Sequence, residues 1–220
     1  MTDLVFLEPD KLGSEPFTTS DVIAAQAQIS YRSVQRMIER HENDLAEFGQ
    51  VRFQITPVKY ARGTNDQKSY QLNEQQATLL ITYLKNTPPV RQFKKDLVQE
   101  FYRMRRELTR RQIFRDAGKP IRRTLTDAIR DSGEDGRMHG HAYGTYTDLA
   151  YKAATGKIAR ILRKERGASA KAIATDLLTS DELSAYNKAE ERLTVLLDMG
   201  LTYDQIKTLL LVQTSKRLAG

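Results

Sequence analysis

The sequence predicts a mainly α protein whose N-terminal part also contains one β-hairpin. Three observations carry this. Apolar residues recur at three- and four-residue spacing through most of the chain, alternation of apolar and polar residues is confined to the stretches around 51–60 and 70–72, and Ser, Thr, Asn, Gly and Pro punctuate the periodic runs. A chain of 220 residues is long enough for two domains. The predicted organisation is an extended lead-in (1–16), an α+β domain (17–89), a long basic amphipathic helix or linker (90–117) and an all-helical C-terminal domain (118–220).

Pro9, Gly13 and Pro16 interrupt the lead-in. Thr18-Thr19-Ser20 place hydroxyls before Val22, Ile23, Ala24 and Ala27, the pattern of an N-cap and a short helix. Ser30 caps a second helix carrying Val34, Met37, Ile38 and Leu45, with Gly49 as its stop. Val51, Phe53 and Ile55 then alternate with Arg52, Gln54 and Thr56; residues 61–68 have turn composition, and Tyr70 and Leu72 alternate again, which reads as a hairpin. Asn73 caps a third helix with Ala77, Leu80, Ile81 and Leu84, closed by Asn86 and Thr87-Pro88-Pro89.

From Val90 a stripe of Phe93, Leu97, Phe101, Met104 and Leu108 faces away from Arg103, Arg106 and Arg110. Arg111 and Arg115 fall on the apolar azimuth, so the stripe breaks there and Gly118-Lys119-Pro120 becomes the predicted domain boundary. Beyond it come a segment from Pro120 through Ile129, a Gly-rich loop at 132–144, a helix from Thr147 and a basic helix at about 157–166. Two last helices are opened by capping boxes at Thr179–Glu182 and Thr202–Gln205 and separated by Gly200.

The absence of cysteine excludes a disulfide framework, a zinc ribbon and a thiol nucleophile. The acidic opening is unlike a secretory signal and no run approaches about 18 apolar residues, so a cytoplasmic protein without membrane association is expected. His139 and His141 sit in the Gly-rich loop without a carboxylate set, and His41 is the only other histidine, so no metal is predicted. Thr155-Gly156-Lys157 lacks the upstream glycine of a phosphate loop, and no nucleophile elbow occurs; neither a cofactor nor an enzymatic activity is expected.

The net charge of +7 suggests a polyanionic partner, but it is unevenly spread. Residues 1–90 hold 9 Lys/Arg against 11 Asp/Glu, residues 91–130 hold 13 against 5, and residues 152–171 hold 7 against 1. The stretch SDVIAAQAQISYRSVQRM resembles a helix-turn-helix, with Ile23, Ala27, Ile29, Val34 and Met37 spaced to pack two helices across a turn. It departs at Gln28, where many such motifs place glycine. Ser30, Tyr31, Arg32, Ser33, Gln35, Arg36 and Arg40 then become candidate DNA contacts on the second helix, where Arg can meet guanine and Gln adenine. An ordinary αα-hairpin would show the same spacing. With the following hairpin, the whole takes on a winged helix-turn-helix-like order. Lys59, Arg62, Asn65 and Lys68 near its tip are placed to meet the sugar-phosphate backbone, unless the hairpin only completes the core. The helix from 90 either covers that core or forms a dimer, with Arg103, Arg106 and Arg110 directed to phosphate.

The runs FTTSDVIAAQAQISYRSVQRMIERHENDLAEFG, SYQLNEQQATLLITYLKN and VRQFKKDLVQEFYRMRREL, in that order over about residues 17–108, resemble the phage regulatory protein Rha family. The second half, from YTDLAYKAATGKIARILRKERG through DLLTSDELSAYNKAEERLTVLLDMGLTYDQIKTLL, is similar to C-terminal regions of phage regulators and antirepressors. The resemblance implies a prophage protein of lysogenic or lytic gene control in a bacterial host. The expected partner is double-stranded DNA, bound by a dimer. The alternative is an antirepressor that binds a repressor protein, favoured by the net −2 of residues 1–90.

Overall fold

A computed structural model describes residues 3–7, 15–60 and 63–218, with the side chains at 56, 58–60, 63–65 and 212–218 outside that description. The chain is mainly α with an α+β N-terminal part, as the sequence predicts, and divides into two compact units between Arg106 and Glu107. Of the lead-in, Val5 is buried in the first unit and Phe6 forms an antiparallel bridge to Phe17; Pro9 and Gly13 lie outside the described residues.

The first unit begins with strand β1 (Phe17–Thr19) and helix α1 (Ser20–Ala27), whose N-cap Thr19 accepts a hydrogen bond from the Val22 N–H at 3.3 Å. Gln28 closes α1 in the left-handed region with φ +53°, so the departure noted in the sequence falls where the turn needs that conformation. Helix α2 (Tyr31–Arg40) follows, capped by Ser30 through the Ser33 N–H at 3.1 Å. It does not continue to Gly49. His41, stacked on the Tyr83 ring at 4.0 Å, separates it from helix α3 (Glu42–Ala46).

Strands β2 (Arg52–Tyr60) and β3 (Gly63–Asn73) pair antiparallel from Arg52↔Gln71 to Tyr60↔Gly63. Residues 63–68 are therefore strand, where the sequence suggested a turn. Cross-strand backbone hydrogen bonds do not require apolar side chains, so the polar run Thr64 to Lys68 extends the ladder beyond the core. The sheet order is β1-β3-β2. Its third strand went unpredicted because three residues are too few to show a period of two.

Helix α4 (Glu74–Tyr83) opens with a complete capping box between Asn73 and Gln76. Gln76 is 1% exposed, and its amide also donates to the Leu45 carbonyl at 3.2 Å and the Gly49 carbonyl at 2.7 Å, fastening the α3–β2 connection to α4. Helix α5 (Pro88–Asp131) seals this core with Val90, Phe93, Leu97 and Phe101, packed with Ile23, Val34, Ile38, Leu72 and Leu80. Its opening Pro88 and Pro89 fall in the first turn, where a missing N–H leaves no helical bond unmade.

In the second unit α5 runs on through Gly118-Lys119-Pro120, which the sequence marked as a boundary. Arg111 and Arg115 do point inward and find partners there, although Arg111 Nε is buried without one. Arg111 donates to the Asp176 carbonyl at 2.5 Å, and Arg115 meets Thr175 and the Asp176 carboxylate. Gly118 allows a close approach instead of ending the helix, since a Cβ at that position would lie 2.6 Å from Asn187 Oδ1. Leu125, Ala128 and Ile129 then face a core formed with helices α7 (Ala142–Thr155), α9 (Ser180–Asp198) and α10 (Tyr203–Leu218).

The predicted loop at 132–144 contains helix α6 (Glu134–Arg137) and the first turn of α7. Buried Glu134 organises it by accepting from Tyr146 Oη at 3.0 Å and pairing with Arg137 at 2.7 Å. Helix α8 (Ala159–Glu165) and a 3-10 turn at Ala174–Leu177 complete the unit. The predicted Thr179–Glu182 capping box is present at the start of α9.

Two measurements check these local arguments. Relieving the left-handed strain at Gln28 by Gln28→Gly is expected to raise stability to urea by about 1 kcal/mol. At Glu182, burial alone raises the carboxyl, but Arg166 Nη2 at 2.6 Å and the Thr179 N–H at 2.8 Å outweigh it and hold the pKa below its ordinary value. That contribution is complete above the unfolded-state value of about 4.3 and is lost as pH falls through the lowered folded-state value. Glu182→Gln is expected to lower Tm near neutrality and to flatten its fall on the acid side.

Candidate nucleic-acid interface

Helix α2 sorts its residues by the facing core. Val34 and Ile38 are buried and Tyr31 and Met37 half-buried, which leaves Arg32, Ser33, Arg36, Glu39 and Arg40 exposed. At about 100° per residue, positions 32, 36 and 40 drift by about 40° per step and share roughly 80° of arc. The three guanidinium groups have no ion-pair or hydrogen-bond partner among the described residues. One helix thus carries a core face and a row of three uncompensated cations.

The other sequence-predicted residues of α2 are less available. Ser30 and Ser33 lie at the helix start with their hydroxyls 2.7 Å apart, and Ser30 is engaged as the N-cap. Gln35 is half-buried. The Tyr31 oxygen is enclosed beside Ser20 and Gln67 without a well-aligned hydrogen bond, and burial raises its phenol above the ordinary range, so Tyr31 is chiefly a packing residue.

The hairpin is fastened to the start of α1. Tyr70 N–H donates to Ser20 Oγ at 3.0 Å, Gln67 Nε2 donates to Asp21 Oδ1 at 2.8 Å, and Ser69 Oγ donates to Asp21 Oδ2. Tyr70 Oη also donates to Glu39 of α2 at 3.3 Å; burial, reinforced by that carboxylate, raises the Tyr70 phenol. The strand that carries the hairpin is therefore bonded to both helices of the pair. Sequence reasoning missed Ser20, Asp21 and Glu39, since polar residues in a first helical turn and on an exposed face carry no signal of a partner some thirty to fifty positions away.

On the hairpin, Lys68 is exposed with Nζ 4.9 Å from the Phe53 ring centre, and Phe53 and Ile55 are 48% and 57% exposed on the same face. The Lys59 and Asn65 side chains and the whole of Arg62 lie outside the described residues. Along α5 the three predicted arginines separate. Arg103 pairs with Glu100 at 2.5 Å, Arg106 is exposed without a described partner, and Arg110 belongs to the second unit, where it pairs with Asp181 at 2.8 Å. Among the described residues no group of three or more His, Asp or Glu could hold a metal ion, and no helix is long and apolar enough to cross a membrane.

The first unit is thus a small α+β module with a basic helix face and a clamped hairpin. Residues 18–106 match the family model of phage regulatory protein Rha, and the match ends at the residue where the first compact unit ends. That match supports a phage regulatory role. No curated protein matches the sequence.

Removing the Asp21 carboxylate, as in Asp21→Ala, leaves Gln67 and Ser69 without their acceptor. It is expected to cost about 2 kcal/mol in urea denaturation, with loss of amide-exchange protection concentrated in 67–70.

Proposed function

We propose that the protein is a DNA-binding transcriptional regulator of lysogenic or lytic phage genes, in which α2 reads the major groove and the β2–β3 hairpin lies on the adjacent backbone. The observation that carries this reading is the row Arg32, Arg36 and Arg40, exposed and unpaired among the described residues on a helix whose other face is core. Recognition helices divide in this way, with base-edge contacts made from the N-terminal end, where Arg32 and Ser33 lie. Lys68 would add a phosphate contact from the hairpin, and of the three predicted α5 arginines Arg106 is exposed without a described partner. Of the acids behind the net −2 of residues 1–90, Glu74 is paired with Arg105, whereas Asp21 and Glu39 keep their charge while accepting from Ser69 and Tyr70. A dimer on two half-sites belongs to the same proposal.

The test is binding to promoter DNA flanking the gene, measured against salt. Replacing Arg32, Arg36 and Arg40 together by alanine is expected to weaken binding by about 100-fold or more and to reduce the log–log salt slope by up to about 3, with an unchanged circular dichroism spectrum. Binding of the same strength and slope in that variant overturns the proposal. A second reading, an antirepressor that binds a repressor protein, draws on the same acidic balance; a repressor complex that survives high salt and nuclease would favour it.

A further inference from the structure

The second unit contains a cavity of about 470 Å³ between α5, α7, the 3-10 turn and α9. Arg115, Lys119, Arg122 and Arg123, which follow one another at spacings of four, three and one along α5, all line it, and Glu190 is the only acidic residue that does. Four cations within little more than two helical turns repel one another, and on a convex helix face solvent would screen them. Here they border a concavity, three of them oriented by carboxylates (Arg115 by Asp176, Lys119 by Asp116, Arg122 by Glu190), while Arg123 adds a charge without a described partner.

The cavity is built as well as charged. Glu190 is 1% exposed and accepts from Arg122 Nη1 and Tyr186 Oη, each at 2.8 Å, while Arg122 Nη2 donates to Thr147 Oγ1 at 2.7 Å. Arg122 is thereby held in one orientation. Arg115 is likewise fixed by Thr175 and by Asp176 at 2.9 Å. Lys119 pairs only with Asp116, at 2.7 Å on the exposed side of the helix, and Arg123 has no described partner, so these two are the movable members. Two fixed and two movable cations around a space within the usual range for small-molecule sites suit a compact, multiply charged anion.

We infer that this cavity binds a small organic phosphate of about mononucleotide size, held by Arg115 and Arg122 at its base and enclosed by Lys119 and Arg123. Such a ligand makes the second unit the sensing part of the protein, separate from the arginine row on α2. A DNA duplex is too wide to enter, although its phosphates share the chemistry, so the experiment separates the two sources.

Thermal unfolding and calorimetric titration of the full chain with adenosine 5′-monophosphate and with pyrophosphate, each matched in ionic strength with sodium chloride, provide the test. Saturable binding with a rise in Tm is expected for at least one of them. The variant carrying Lys119→Ala and Arg123→Ala, both exposed positions, is expected to keep the unliganded Tm and lose at least 10-fold in affinity. No stabilisation beyond the chloride control, or binding unchanged in the variant, overturns the inference. Displacement of the bound phosphate by a short DNA duplex, lost in the same variant, also overturns it and reassigns the four cations to a nucleic-acid contact.

Discussion

The arrangement of the first unit depends on three consecutive residues, Thr19, Ser20 and Asp21, and on the central strand they meet. Thr19 ends β1 and caps α1; Ser20 accepts the Tyr70 N–H; Asp21 takes Gln67 and Ser69. A helix start presents unpaired backbone donors and carries the positive end of the helix dipole, which favours an acid such as Asp21 there even before it gains partners. Because β3 lies between β1 and β2 in the sheet, the same strand registers the hairpin and orients α1. The short turn at Gln28 then passes that orientation to α2. The exposed face of α2 is set by bonds made on the other side of the module.

Much of this was legible in the sequence, for identifiable reasons. Caps at Thr19, Ser30, Asn73 and Thr179 were readable because a hydroxyl or amide before a periodic run has one common use. The stripe from Val90 to Phe101 was readable because one apolar core covers it continuously. The errors share a different cause. Residues 63–68 looked like a turn because strand pairing in the hairpin is made by backbone, and side-chain composition reports only on burial. Gly118 and Pro120 looked like an end because local preference opposes a helix there, while packing against Asn187 and the rest of the second unit keeps it.

The candidate contact residues were separable in the same terms. Which residues of α2 face outward follows from periodicity, so Arg32, Arg36 and Arg40 were accessible to sequence reasoning. The half-burial of Tyr31 was not, because it is imposed by Ser20 of α1 and Gln67 of β3, which arrive from elsewhere in the chain. The inward arginines of α5 show the converse. On a helical wheel Arg111 and Arg115 read as a fault in an apolar stripe, yet in the folded chain they meet the backbone and side chains of the 3-10 turn. Buried polar groups are tolerated where their partners are fixed, and a periodicity argument has no means of supplying the partner.

The division of α2 into a face that folds and a face that does not has an evolutionary consequence. Val34 and Ile38 commit the helix to its core, whereas positions 32, 33, 36 and 40 touch little that the fold needs. Substitution at those four positions carries almost no folding penalty, so under the proposed reading the partner contacted there can diverge quickly between related chains while the scaffold stays constant. Genetic drift in the outward residues, under a fixed inward set, is the pattern such a helix should leave in its descendants.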